Sequence, residues 1–244
     1  MLAYSSESSA TLSEQVAGIS AALIIPALNE EPVIGRTLAS IPHGLFDQII
    51  VADNGSTDRT AEIARGCGAT VVRTPEPGYG NACLQAIQAL SPEVEAVVFM
   101  QADNSEDPLE ATRLLQPIAD GRADLVIGSR TLGDVEPGAL LLHQRFGNTL
   151  ATSMIRLLFR HSYSDLGPFR AIRVSALTAL GMREQRYGWT VEMQVKALRR
   201  KLRVLEVPVS YKRRAAGENK ISGNLVNSAK AGATILYTVL RNAV

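Results

Sequence analysis

The chain has 244 residues, 46% of them hydrophobic and 20% charged, which is enough apolar surface for a packed core and excludes a disordered chain. Its 25 Lys and Arg residues against 24 Asp and Glu leave a net charge of +1, without the basic excess of a protein whose main partner is nucleic acid. No run approaches the ~18 consecutive apolar residues of a membrane span, so the expected protein is cytoplasmic, with at most a peripheral contact at the inner membrane face.

Residues 1–18 are polar and Ser/Glu-rich at their start, lack a basic start followed by an apolar run, and read as a disordered tail. Ala21–Ile25 is a predicted strand, followed by a helix over Pro32–Ile41. Gln48–Ala52 is a second strand, and its helix starts near Thr57 with Asp58 in the first turn, where a carboxylate suits the helix dipole. Ala69–Arg73 is a third strand, followed by a helix over Asn81–Leu90. Ala96–Met100 and Ala123–Gly128 are the fourth and fifth strands. Further on, Arg145–Arg160 reads as an amphipathic helix, Phe169–Val174 as a strand, Thr190–Arg200 as a helix and Arg203–Ser210 as a strand. Residues 223–244 form an amphipathic helix with Leu225, Ala229, Ala233, Leu236 and Leu240 on one face. That face either packs on the core or lies on a membrane surface.

Continuous apolar strands alternating with amphipathic helices predict an α/β fold, a Rossmann-like, mostly parallel sheet covered on both sides, in one domain over residues 19–222. Ligands of such sheets sit beyond the carboxyl ends of the strands. The segments there are polar or glycine-rich: 26–30, 53–58, 78–81, 101–105 and 128–130. Taken alone, Asp53-Asn54-Gly55 is an ordinary turn and Asp103 a helix cap. Together they describe a rim for a large polar ligand. There is no GxxxxGKS loop, no GxGxxG after the first strand and no GxSxG elbow, which disfavours P-loop NTPases, dinucleotide enzymes and α/β hydrolases. Cys67 and Cys83 form no metal-binding cluster and are read as buried, reduced thiols. His43, His143 and His161 are read as surface or helix residues, and Trp189 as core.

Several segments carry a resemblance: Pro26-Ala27-Leu28-Asn29-Glu30, Val51-Ala52-Asp53-Asn54-Gly55-Ser56-Thr57-Asp58, Gln101-Ala102-Asp103, Gly128-Ser129-Arg130, Asp165-Leu166-Gly167-Pro168-Phe169-Arg170, Glu206-Val207-Pro208-Val209, and the basic stretch from Arg214 to Lys220. In number and order these resemble the family 2 glycosyltransferases of the GT-A fold, and among them the dolichyl- and polyprenyl-phosphate sugar synthases. The resemblance implies a nucleoside pocket lined by Pro26, Leu28, Glu30, Val51 and Asp53, with Gln101 and Ala102 beside the nucleotide. It implies that Asp103 holds a divalent cation, Mg²⁺ or Mn²⁺, with Ser105 where the family has a metal-binding Gln. Arg130, Arg214 and Lys220 would bind phosphate, and Asp165 to Phe169 would lie near the reacting sugar. Asp103, Asp165 and Arg130 are the implied catalytic set. Gln101 departs from the family pattern, which has an acidic residue there.

The implied reaction moves a sugar from a UDP- or GDP-linked donor to a polyprenyl or dolichyl phosphate, with inversion. A phosphate acceptor needs cations to place it, which the run Lys212-Arg213-Arg214 supplies unless that run is only a solvated loop. A hydroxyl acceptor needs a base, for which Asp165 is the candidate. A nucleotidyltransferase is disfavoured because Pro26 to Pro32 replaces the glycine-rich loop of that class. A binder without catalysis, or without metal, stays open because of Gln101. The sequence assigns no sugar, base or oligomeric state.

Overall fold

The computed structural model describes residues 18–215 and 225–243; the expected tail, up to residue 17, and Lys220 lie outside the described residues. Seven strands form one sheet: β1 Ala21–Ala27, β2 Gln48–Asp53, β3 Thr70–Arg73, β4 Ala96–Phe99, β5 Leu125–Ser129, β6 Arg170–Arg173 and β7 Val204–Pro208. Their order is β3-β2-β1-β4-β6-β5-β7. Parallel pairing joins β3, β2, β1 and β4, and also β5 and β7. The short strand β6 runs antiparallel between β4 and β5. The mostly parallel sheet expected from sequence is therefore present, with one reversed strand that the apolar pattern did not reveal. Because β6 is reversed, its start, rather than its end, arrives at the edge where β1, β2, β4, β5 and β7 finish.

The helices are α1 Ile34–Ala39, α2 Thr60–Gly66, α3 Tyr79–Gln88, α4 Ala111–Ala119 (entered through a 3₁₀ turn over Pro108–Glu110), α5 Leu142–Phe159, α6 Val174–Leu180, α7 Trp189–Arg199 and α8 Leu225–Ala243. Alternation along the strands splits the core into two layers. One holds Ala22, Ile24, Ile50, Val97, Phe99 and Ile127 with Ala82, Ile155, Leu177 and Val191. The other holds Leu23, Ile25, Val51, Val98 and Val126 with Ile34, Ala64, Leu114 and Ile118. Both sheet faces are thus covered by helices, as a parallel sheet requires.

Several sequence expectations are corrected. Helices α4 and α6 were not expected: Pro117 interrupts the apolar pattern of α4, and residues 174–180 followed a strand with no turn residue between. Asp58 precedes α2 instead of sitting in its first turn, and its carboxylate accepts from the Thr60 amide at 3.0 Å and hydroxyl at 2.5 Å. Asp103 does not cap a helix; Asp107 does, accepting from the Leu109 amide at 3.1 Å. Cys83 is buried, but Cys67 is exposed at the end of α2. On α8, Ala233 and Leu240 are exposed, whereas Thr238 and Val239 are buried and Ile235 packs on the core, so the packed face is offset from the one read in the sequence. Helix α8 lies against α5 and α7. Trp189 is buried edge-on to Phe99, as core packing predicts.

Gly78 and Gly80, expected on a ligand rim, instead meet the chain at 184–186. The Asn81 amide donates to the Gln185 carbonyl at 3.0 Å and the Gly80 amide to Arg186 at 3.3 Å. A Cβ on Gly80 would fall onto the Glu184 carbonyl oxygen, whereas one on Gly66 would meet nothing within 4 Å. Gly80→Ala should therefore cost about 1–3 kcal/mol of stability, the range for overpacking, while Gly66→Ala should be neutral or slightly stabilising. Urea unfolding of the two variants beside the wild type checks this; equal effects would mean that the close approach of the two segments does not constrain the fold.

Candidate active site

The rim is assembled from backbone outward. Asn29, with φ of 50°, turns the chain sharply after β1, and its side chain accepts from the Thr57 amide at 2.8 Å. The Asn29 amide donates to Ser56 Oγ at 3.0 Å and the Glu30 amide to Thr60 Oγ1 at 2.8 Å. Asp53, at the end of β2 and 2% exposed, accepts from the Ser56 amide at 2.8 Å and lies 3.8 Å from the Arg73 guanidinium. The loops after β1 and β2 therefore brace each other. Pro26 and Leu28 are partly exposed there, as a pocket lining requires. Val51 is not: it is fully buried in the core, pairing with Ile25, so it supports the rim from beneath instead of lining it. Ala102 is likewise 4% exposed, and its carbonyl accepts from Thr37 Oγ1 at 2.8 Å.

The loop after β4 is the centre of the site. Asp103 Oδ1 accepts from the Ser105 amide at 3.1 Å and hydroxyl at 2.5 Å. Gln101 Oε1 lies 3.4 Å from Ser105 Oγ and 3.4 Å from the Tyr211 hydroxyl. The segment after β7 crosses this loop: the Lys212 amide donates to the Ser105 carbonyl at 2.8 Å and the Ala215 amide to the Asp103 carbonyl at 3.2 Å. That crossing seats Arg214 between two carboxylates 111 and 184 residues away, donating to Asp103 Oδ2 at 3.1 Å and to Glu30 Oε1. Arg214 and Asp103, implied by the sequence as a phosphate ligand and a metal ligand, here form a direct ion pair that Glu30 joins.

A second ion pair sits beyond β5. Arg130 grips Asp165 with two parallel bonds of 2.8 Å, Nε to Oδ2 and a terminal nitrogen to Oδ1, and the Arg130 amide donates to Oδ2 at 2.9 Å. Asp165 is 1% exposed, so both oxygens are committed to this fork. Burial works against the Arg130 charge, but the Asp165 carboxylate outweighs it and raises the guanidinium's pKa. The Tyr211 ring lies 5.2 Å from the same guanidinium and so links this pair to Gln101. Behind the pair, Glu206 of β7 accepts from the Ser164 amide at 2.9 Å and hydroxyl at 2.8 Å, and from the Asp165 amide at 3.2 Å. Gln194 Nε2 donates to the Asp165 carbonyl at 3.0 Å. Arg170 is fully buried, bonded to the carbonyls of Gly167 at 3.1 Å and Thr190 at 2.8 Å, and burial lowers its pKa to about 10.

Sequence reasoning missed Glu106. It is 3% exposed, and its Oε2 accepts from the Gln101 amide at 2.7 Å while Oε1 has no partner. Burial, reinforced by the charge of Asp103 and opposed by the Gln101 bond, pushes its pKa up to about 8. Glu106 therefore holds the loop as a neutral acid near pH 7. The only signal in the sequence was an acidic residue inside an otherwise ordinary polar loop.

The donor set suits a hard cation in part. Asp103, Ser105 and Gln101 offer oxygen ligands close together, and a guanidinium already rests against Asp103. Among the described residues no group of three or more His, Cys, Asp or Glu is placed to hold a metal. A cation here would take the rest of its shell from phosphate and water, as Mg²⁺ commonly does.

The sequence profile of Glycosyl transferase family 2 matches residues 22–181. An uncharacterised glycosyltransferase of Mycobacterium tuberculosis is 37% identical over 216 residues, covering 87% of this chain and 94% of its own. A dolichyl-phosphate hexose transferase of Haloferax volcanii is 32% identical over 202 residues, covering 82% and 86%. Among solved structures, glucosyl-3-phosphoglycerate synthase of Mycobacterium tuberculosis, in complex with Mn²⁺, UDP and glucosyl-3-phosphoglycerate, superposes with a TM-score of 0.77 at 25% identity, covering 100% of this chain and 86% of that one. The chain belongs to glycosyl transferase family 2, and its fold is the GT-A fold.

Two outcomes follow from the site's electrostatics. Asp165→Asn strands the Arg130 guanidinium in a buried place and should cost about 3–5 kcal/mol in urea unfolding. Adding Arg130→Met should recover part of that loss; strictly additive effects would show that the fork contributes no coupling. Glu106 has a folded pKa of about 8 against an ordinary 4.5, so the stability it contributes is complete below pH 4.5 and falls as pH rises towards 8. Relative to Glu106→Gln, the metal-free wild type should lose on the order of a few kcal/mol between pH 5 and pH 8. A constant difference across that window would mean that Glu106 is ionised throughout.

Proposed function

We propose that this family 2 glycosyltransferase moves a hexose from a UDP- or GDP-linked donor to a lipid phosphate of the polyprenyl or dolichyl type, with inversion and with Mg²⁺ or Mn²⁺. One observation carries the choice of acceptor. Asp165, the candidate base for a hydroxyl acceptor, is buried with both oxygens held by Arg130. A base must reach the proton it removes, and this one is closed off. A phosphate acceptor is already anionic near neutral pH and needs no base. The name of the Haloferax relative points the same way.

The residues divide the work as follows. Glu30 and Asp53, with Pro26 and Leu28, present acceptors and an apolar edge to the nucleoside. The fork of Arg130 and Asp165 fixes the loop before β6 against the end of β5, so the segment to Phe169 keeps a set position beside the sugar. As the bond between sugar and diphosphate breaks, negative charge grows on the leaving oxygens, and fixed cations stabilise it more than they stabilise the ground state. Arg214 is the described cation at that point. A divalent cation at Asp103, when bound, supplies further charge neutralisation and orients the diphosphate. Lys212 and Arg213 stand next to Arg214 at the exposed side, where an incoming phosphate would meet them.

Titration calorimetry with UDP-glucose and GDP-mannose, each with and without Mn²⁺, tests the site. One donor should bind at least about tenfold tighter with the metal, a difference of about 1.4 kcal/mol that Asp103→Asn removes. With that donor, sugar should pass to undecaprenyl phosphate and not to 3-phosphoglycerate. Binding that ignores the metal, or transfer only to phosphoglycerate, would sink the cation assignment or the acceptor assignment respectively.

A further inference from the structure

The outward side of α5 is apolar in a way that its packing does not require. Its inner side is fully engaged: Ala151 and Ile155 are in the core, and Asn148 donates to the Ser164 carbonyl at 3.2 Å and accepts from the Leu166 amide at 2.9 Å. The outer side carries Leu142 at 85% exposure, Phe146 at 71%, Leu150 at 39% and Leu157 at 81%. At 3.6 residues per turn these four fall within roughly 80° of arc and extend about 22 Å along the helix. Such a continuous exposed stripe marks an interaction surface.

The charges around it say what kind. No Asp or Glu occurs between Glu136 and Asp165, although the chain has 24 acidic residues in all. Arg145, Arg156 and Arg160 are exposed on this helix and its end, and none forms an ion pair with a described residue. Neighbouring α8 likewise has no acidic residue and exposes Tyr237 and Leu240. An apolar stripe edged by unpaired cations is complementary to an anionic bilayer surface, with the stripe among the acyl chains and the guanidinium groups among the head groups.

We infer that the outer face of α5 docks on an anionic membrane surface. This rests on the lipid-phosphate reading and adds the means by which that acceptor is met: the same helix holds, through Asn148, the segment around Asp165, so docking sets the active-site rim beside the head-group layer. No helix among the described residues is long and apolar enough to cross a membrane, and the inferred contact needs none.

Flotation of the full chain with phosphatidylglycerol-containing and pure phosphatidylcholine vesicles tests the inference. The wild type should bind the anionic vesicles at least tenfold more strongly. Leu142→Glu with Phe146→Glu, both at exposed positions, should abolish that binding and leave the calorimetric affinity for the donor unchanged. Arg145→Ser with Arg156→Ser should weaken it and flatten its dependence on lipid charge. A wild type that ignores both vesicles, or variants that bind as well as it does, overturns the inference; so does a dimer in sedimentation that the Glu variant splits while vesicles go unbound. Transfer to detergent-solubilised undecaprenyl phosphate separates the two readings. If it proceeds while vesicles are ignored, the docking surface fails and the acceptor stands. If vesicles bind through α5 but sugar reaches only a soluble acceptor, the acceptor fails and the surface stands.

Discussion

Glu30, Asp53, Asp103, Glu106 and Asp165 are all buried at the ends of the sheet, and every one must be relieved of its charge or have it matched. The protein uses four devices for the five. Asp165 has a two-pronged guanidinium. Asp103 and Glu30 share Arg214. Asp53 uses a backbone amide with a more distant Arg73. Glu106 keeps its proton. Much of the rim's geometry follows from these arrangements, because a buried carboxylate fixes the position of whatever answers it.

The reversed strand β6 is what lets two of these devices meet. In a wholly parallel sheet the segment before a strand lies at the opposite edge from the segment after its neighbour. With β6 antiparallel to both β4 and β5, residues 164–169 arrive beside Ser129 and Arg130. Gly128 and Gly167 meet there, and a Cβ on Gly167 would overlap the Gly128 carbonyl oxygen. Tyr211 then ties the two halves of the rim, touching Arg130 with its ring and Gln101 with its hydroxyl. The site is consequently one connected network running from β1 to β7, instead of a row of independent loops.

The strands were legible because a sheet buried on both faces needs unbroken apolar runs, and β1, β2 and β4 have them. Strand direction was not, since a four-residue run such as Arg170–Arg173 reads the same either way. Helix α4 was hidden by Pro117, which breaks the expected pattern while its own carbonyl accepts from the amides of Arg122 at 2.8 Å and Ala123 at 3.0 Å. At the site, motif positions were legible and partners were not. Asp103 and Arg214 each stood out, but their contact depends on the crossing of the segment after β7. Glu106 could not be told from a surface acid, because its burial is a property of the assembled loops. Gly78 and Gly80 were misread for the converse reason: glycine marks close approach of a ligand or of the chain itself, and here it is the chain.

Gln101 fits this balance of charge. Its carbonyl oxygen accepts from the Tyr211 hydroxyl and lies 3.4 Å from Ser105 Oγ, as a carboxylate oxygen would. An aspartate there would add a negative charge close to Asp103 and Glu106, with Arg130 already committed to Asp165. The amide keeps the acceptor and removes the charge. A second carboxylate would hold a bare cation more firmly. A divalent cation at Asp103 would then be held chiefly together with the phosphates of the donor, and each would strengthen the other's binding.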